Sequence, residues 1–217
     1  MSDIPILFSA PMVHAMLECR KTMTRRPAWR APKPVDPSGA ITTDLVSAPT
    51  RWQSVKPGDR LWVRETWQYA PKKYCICPQG SEPQPCDDWQ KGTGCRSDRD
   101  AVIFRADGMK ASHWRPGIHM PRWASRITWI VTAVRIERLR DISEADARAE
   151  GVDDDCLEPL RRERFYGMKP WPEFYRPLFA LFIDQIHGDG FWANNPEVVV
   201  ITGEVHARNI DAVKESG

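Results

Sequence analysis

The sequence predicts an α+β fold, a small mixed β-barrel with flanking helices, and three observations carry that prediction. Short extended segments recur from one end of the chain to the other. Only three stretches show helical periodicity. The hydrophobic share of 41% and charged share of 28% lie close to the globular averages of about 45 to 50% and 25%, so most of the chain can bury a core. A length of 217 residues fits a single elaborated domain over 1–217 and excludes a large multidomain assembly.

From the N-terminus, Ile4 to Phe8 is a short apolar run that reads as a strand. Ser9 can cap a helix with Pro11 in its first turn and Met12, Val13, Met16 and Leu17 as its apolar stripe, ending near Cys19 or Arg20. Lys21 to Arg26 is a turn leading into extended chain, and Pro27 stops the extension. Residues 27–55, rich in Pro, Ser and Thr, form a long connection. Lys56-Pro57-Gly58-Asp59 is a turn into an alternating strand from Arg60 to Glu65. Residues 71–100 hold many Pro, Gly and Cys and few apolar side chains, so they form part of an insertion spanning 66–117. Val102 to Arg105 is a further short strand, and Ile127 to Leu139 is long and β-branched, the clearest strand in the chain. Ser143-Glu144-Ala145-Asp146 opens a helix to about Glu150, where Gly151 ends it. Glu173 to His187 is a helix with Phe174, Leu178, Leu181, Phe182 and Ile186 on one face, and Val198 to Val205 is the closing strand.

The net charge of +2 conceals a division: residues 1–140 carry 23 Lys/Arg against 13 Asp/Glu, and residues 141–217 carry 8 against 16. Such asymmetry points to a partner. Arg20, Lys21, Arg25, Arg26, Arg30 and Lys33 form a cationic run with no intervening acid. Tryptophans sit beside arginines at Trp29-Arg30, Arg51-Trp52, Trp114-Arg115 and Arg122-Trp123. A guanidinium for phosphate next to a flat ring for stacking suits unpaired nucleic acid; the alternative is a solvated basic face over core tryptophans.

No apolar run approaches the roughly 18 residues that span a bilayer, and the N-terminus lacks the profile of a secretion signal. A cytoplasmic chain with no membrane partner is therefore expected. In that compartment the six cysteines are free thiols or metal ligands before they are disulfides. Cys75, Cys77, Cys86 and Cys95 place four thiols in a Pro/Gly-rich stretch, where they suit a structural zinc clipping the loop at 71–100; four free thiols are the alternative.

Leu17-Glu18-Cys19-Arg20-Lys21-Thr22-Met23-Thr24-Arg25-Arg26 resembles the G-R-K-T-x-T-x-R signature of ASCH-domain proteins, which are PUA-like β-barrels. Lys56-Pro57-Gly58-Asp59 with Leu61-Trp62-Val63-Arg64-Glu65 is similar to their x-x-G-D-x-l-x-V strand. The stretches 118–126 and 142–151 resemble the longer version found in phages and prophages. Two departures stand out: Cys19 replaces the usual glycine, and residues 66–117 are longer than in minimal members. Within the family, the resemblance to small amidohydrolases of N4-acetylcytidine implies Lys21, Thr24 and Glu150 as catalytic residues and no metal or cofactor for catalysis.

A threonine hydroxyl needs a base beside it, and Lys21 could serve if desolvation together with Arg20 and Arg25 disfavoured its charge. In fully extended chain Lys21 and Thr24 point to opposite faces, so a turn must bring them together. Glu150 could carry the proton to the leaving amine or hold Lys21, with Arg25 or Arg26 assisting the oxyanion. Arg20, Arg25 and Arg26, with Arg122, Trp123, Ser125 and Arg126, are the candidate ligand-binding residues. Three functions follow: hydrolysis of an N4-acylated cytosine nucleoside, binding of RNA or a modified base without chemistry, and cleavage of single-stranded RNA. The partner in each is RNA or a modified nucleoside, and oligomeric state is not legible.

Overall fold

The structure, a computed structural model, describes residues 1–30, 48–69, 102–111, 113–152 and 175–213. In chain order it contains strand β1 (Asp3–Leu7), helix α1 (Ala10–Leu17), strands β2 (Met23–Pro27), β3 (Arg60–Arg64), β4 (Trp67–Tyr69), β5 (Val102–Phe104) and β6 (Thr128–Arg138). Helices α2 (Glu144–Ala149), α3 (Tyr175–His187) and α4 (Phe191–Asn194) and strand β7 (Glu197–His206) follow. The α+β class is as expected, and β4 and α4 are additions to it. Residues 48–50, expected within a long connection, instead pair with 28–30 through an isolated bridge of Trp29 to Pro49.

Five strands form one mixed sheet of order β1-β3-β6-β7-β2. β1 runs parallel to β3, with Asp3 opposite Arg60, and β2 runs antiparallel to β7, with Met23 opposite Thr202 and Pro27 opposite Val198. β4 and β5 pair antiparallel as a separate sheet. Among the described residues the five-stranded sheet is open, its edges being β1 and β2, and no barrel closes. Pro27 is tolerated as the last residue of β2 because an edge strand can spare one N–H.

Local sequence explains the elements that deliver residues to the site. In the Lys56-Pro57-Gly58-Asp59 turn, Gly58 takes φ +90°, the Lys56 N–H donates to the Asp59 carboxylate at 2.9 Å, and the Gly58 N–H donates to the Val131 carbonyl at 2.8 Å. The glycine supplies the left-handed backbone and the aspartate closes the turn.

Helix α1 ends in a Schellman motif. The Cys19 N–H donates to the Met16 carbonyl at 3.0 Å and the Arg20 N–H to the Ala15 carbonyl at 2.8 Å. Cys19 occupies the left-handed position at φ 57°. Positive φ favours glycine, and here a cysteine bears it.

The described residues group into two compact units. The first comprises Met1, 15–59 and 130–205; Met16, Met23, Leu139, Ile142, Phe179 and Val198 to Ile201 are among its buried apolar residues. The second comprises 2–14, 60–129 and 206–217; Ile6, Leu61, Val63, Trp67, Ile127 and Trp129 are buried in it. There Trp67, Phe104, Met120 and Ala124 form a cluster against which Tyr69 and Trp123 pack.

Candidate functional site

The site lies in the first unit, where the chain leaving α1 enters β2 opposite the end of α2. Lys21 is 1% exposed and its ammonium donates three hydrogen bonds: to the Met23 carbonyl at 2.8 Å, the Glu150 carbonyl at 2.8 Å and Glu150 Oε2 at 3.0 Å. Each N–H of the ammonium thus has an acceptor, the condition under which a buried cation is tolerated. The Thr22 N–H donates to the Ala149 carbonyl at 2.9 Å, tying this turn to the end of α2. The neighbouring Gly151 has φ +75°, and a Cβ there would lie 2.8 Å from the Cβ atoms of both Ala15 and Lys21. Glycine is therefore what lets the chain after Glu150 pass against Lys21.

Arg25 extends this pair into a larger network. Its Nη1 donates to Glu150 Oε1 at 3.1 Å, and its Nη2 donates to Glu137 Oε1 at 2.6 Å and Asp146 Oδ2 at 3.0 Å. Arg135 completes the ring by donating to Glu137 Oε2 at 2.8 Å and Asp146 Oδ2 at 2.6 Å. Asp146 is fixed by its own backbone, whose N–H donates to the N-cap Ser143 Oγ at 3.0 Å. Three cations face three carboxylates here, and the group balances its own charge.

Strand alternation divides β2. Met23 and Arg25 share a face, as the 3.3 Å approach of Arg25 Nη1 to Met23 Sδ shows. Thr24 and Arg26 therefore take the other face. Thr24 is buried, but its hydroxyl makes no hydrogen bond to Lys21 or Glu150. The Lys21–Glu150 half of the expected triad thus meets directly, and Thr24 stands apart from it.

Arg26 belongs to a second cluster. Its guanidinium lies 5.5 Å from the centre of the Trp52 ring, and Arg51 lies 4.4 Å from the same ring. Burial pushes the Arg26 guanidinium down to about 10, with the Glu150 charge opposing the shift and Arg51 adding to it. It remains a cation at neutral pH.

Among the other candidates, Arg20 is exposed, pairs with Glu18 at 2.6 Å and reaches the Gly151 carbonyl at 3.4 Å. Arg122, Trp123, Ser125 and Arg126 lie in the second unit and are engaged there. Arg122 pairs with Asp3 and Asp211 at 2.6 and 2.8 Å. The Trp123 ring meets Trp67 edge-on at 6.5 Å. Ser125, buried, donates to the Val63 or Ile127 carbonyl at 2.9 and 3.2 Å. Arg126 forks onto Glu65 at 2.9 and 3.1 Å, pairs with Asp107, and covers the Phe104 ring at 4.0 Å. Their polar groups hold that unit together.

Glu137 and Asp146 were not among the expected site residues, and Trp52 was marked only as a neighbour of Arg51. Asp146 had a local signal in its place three residues after the cap Ser143; Glu137 had none, since its partner Arg25 lies 112 residues away. Cys75, Cys77, Cys86 and Cys95 lie outside the described residues. Among those described, no group of three or more His, Cys, Asp or Glu is placed to hold a metal ion, and no helix is long and apolar enough to cross a membrane. No protein-family model, curated protein or solved structure matches the chain.

Proposed function

We propose that this chain is an ASCH-like, PUA-like protein that binds a nucleoside or an unpaired RNA residue on the Thr24–Arg26 face of β2. In this reading the Lys21–Glu150–Arg25 network is the internal frame that sets β2 in place. The observation that carries it is the saturation of Lys21. With its three protons donated to Met23 and Glu150, the ammonium has neither a lone pair for a base nor a donor for a ligand. Arg26, a guanidinium beside a second guanidinium and an indole ring, offers what a nucleotide requires: charge for phosphate and a flat surface nearby for a base.

A second reading, hydrolysis of an N4-acetylcytidine-type amide, is favoured by the same 3.0 Å pair. Proton transfer from Lys21 to Glu150 would leave a neutral amine. That amine would take the Thr24 proton as the hydroxyl oxygen adds to the amide carbonyl. The C–N bond then breaks, the proton passes to the departing cytosine amine, and water releases acetate from the threonine ester. The step needs Thr24 to turn toward Lys21.

Incubating the purified protein with N4-acetylcytidine and following its absorbance, beside equilibrium binding of cytidine and short RNA, separates the two. Binding without turnover, weakened in Thr24→Ala and Arg26→Gln, is expected. Turnover that disappears in Thr24→Ala would establish the hydrolase instead. Thr24→Ala is the cleaner probe because Lys21→Ala would break the buried network and the fold with it.

A further inference from the structure

The tryptophan–arginine neighbours of the sequence meet different fates. Those in the second unit are used in packing: Trp114 lies against Ile103, Trp123 lies against Trp67, and Arg115 sits 5.7 Å from the Trp67 ring and 5.0 Å from the Tyr69 ring. Trp29-Arg30 and Arg51-Trp52, in the first unit, do something else. The Arg30 N–H donates to the Ala48 carbonyl at 2.8 Å and the Thr50 N–H to the Ala28 carbonyl at 2.9 Å, so 28–30 and 48–50 form a short ladder. The 3-10 turn Arg51–Ser54 follows directly and is tied back by Gln53 Nε2 donating to the Ala28 carbonyl at 2.6 Å. Two indoles and their arginines are thereby carried on one small structural piece, adjoining the end of β2.

Trp29 is 43% exposed, while its Nε1 donates to Glu197 Oε2 at 2.7 Å. An exposed indole forgoes the stabilisation of burial, and here its ring orientation is nevertheless fixed by a charge-assisted hydrogen bond. A flat apolar surface held rigid at the protein surface, with exposed Arg30 and Arg51 on the same piece, has the make-up of a stacking platform with phosphate contacts. Stacking is indifferent to base identity and gains with each nucleotide added, so the platform favours a chain over a single nucleoside.

We propose that exposed Trp29, with Arg30 beside it, forms a stacking platform that binds a nucleotide of a single-stranded polynucleotide next to the one held at β2 by Arg26, Arg51 and Trp52. The inference rests on the reading that β2 binds a nucleoside, and adds to it that the natural partner is a strand.

Fluorescence anisotropy tests this with a labelled ten-residue oligouridylate, its deoxy counterpart, and free cytidine as competitor. The oligomer should bind more tightly than cytidine. Trp29→Ala should weaken oligomer binding about 5- to 150-fold, the range expected from losing one stacked base, while leaving cytidine affinity unchanged. Trp29→Phe, which keeps a flat ring without the Glu197 bond, should retain most of the affinity. Arg30→Gln should lower the slope of log affinity against log salt by about 0.7, one phosphate contact to a single strand. A preference for the ribose oligomer identifies RNA as the strand; equal binding of both identifies single-stranded nucleic acid in general, and either upholds the platform. Unchanged oligomer affinity in Trp29→Ala, a loss in Trp29→Phe equal to that in alanine, or an oligomer no tighter than cytidine would overturn it. If Thr24→Ala and Arg26→Gln leave every affinity unchanged while Trp29→Ala does not, the β2 reading fails and the platform survives.

Discussion

Lys21 carries a full charge in an environment that excludes water, and its three acceptors are what make that tolerable. Replacing it with Met would leave the buried Glu150 carboxylate with Arg25 as its ion-pair partner among the described residues. The expected cost is about 3 to 5 kcal/mol, typical for removing one partner of a buried ion pair. Urea unfolding would measure it, and a loss under about 1 kcal/mol would mean the pair is solvated. Glu65 gives a second handle. Burial holds its carboxyl above the ordinary 4.5, outweighing the opposing pull of the Arg126 fork. A raised value means the folded chain binds that proton more readily than the unfolded chain. Its contribution is therefore fully present below pH 4.5 and is lost as pH rises through the folded value. Glu65→Gln, uncharged throughout, should show a shallower decline of stability with rising pH over that window. Unfolding curves that run parallel for the two proteins would contradict it. Of these residues, Lys21 and Glu150 were singled out by the resemblance as catalytic, and the structure shows them as an ion pair. Arg25 was expected to meet a ligand because an arginine in a cationic run looks unsatisfied. Its actual acceptors lie 112 to 125 residues later, beyond any local pattern.

The elements were more legible than the side chains. Periodicity and cap residues located β1, α1, β3, β5, β6, α2, α3 and β7 because each depends on local chemistry: alternation, a Ser N-cap, a glycine stop. β4 escaped notice since Trp67-Gln68-Tyr69 lacks the β-branched residues that marked the equally short β5. Barrel closure was inferred from strand number, but strand order is fixed by pairings between distant segments, and the described strands leave an open sheet. Two helix ends yield predictions. Cys19 bears a positive φ that costs an L-residue free energy, so Cys19→Gly should stabilise the chain by up to about 1 kcal/mol after the added freedom of the unfolded glycine is subtracted. A lower melting temperature in that variant would show that the thiol side chain contributes contacts worth more than the strain. Gly151→Ala should act in the opposite direction, costing about 1 to 3 kcal/mol for the backbone alone. Its Cβ would also press on Lys21 and Ala15. Loss of stability without loss of the Lys21–Glu150 pair, read from NMR contacts between the two side chains, would show that the backbone and not the crowding decides.

At the scale of the whole molecule, the charge division between the first 140 residues and the rest suggested an external partner. Part of it is consumed internally: Glu150 and Asp146 from the acidic stretch serve Lys21 and Arg25 from the basic one, and Glu197 holds Trp29. Composition could not reveal this, since a sum of charges carries no information on which of them touch. The ring of Lys21, Arg25 and Arg135 with Glu137, Asp146 and Glu150 has a consequence for any approaching anion. Its opposed charges lie within a few ångströms of one another and largely cancel, so at a distance its field is weak. Long-range attraction must come from exposed cations outside the ring, such as Arg30. One part of the cationic run is thus spent on the fold, and another part faces the surroundings.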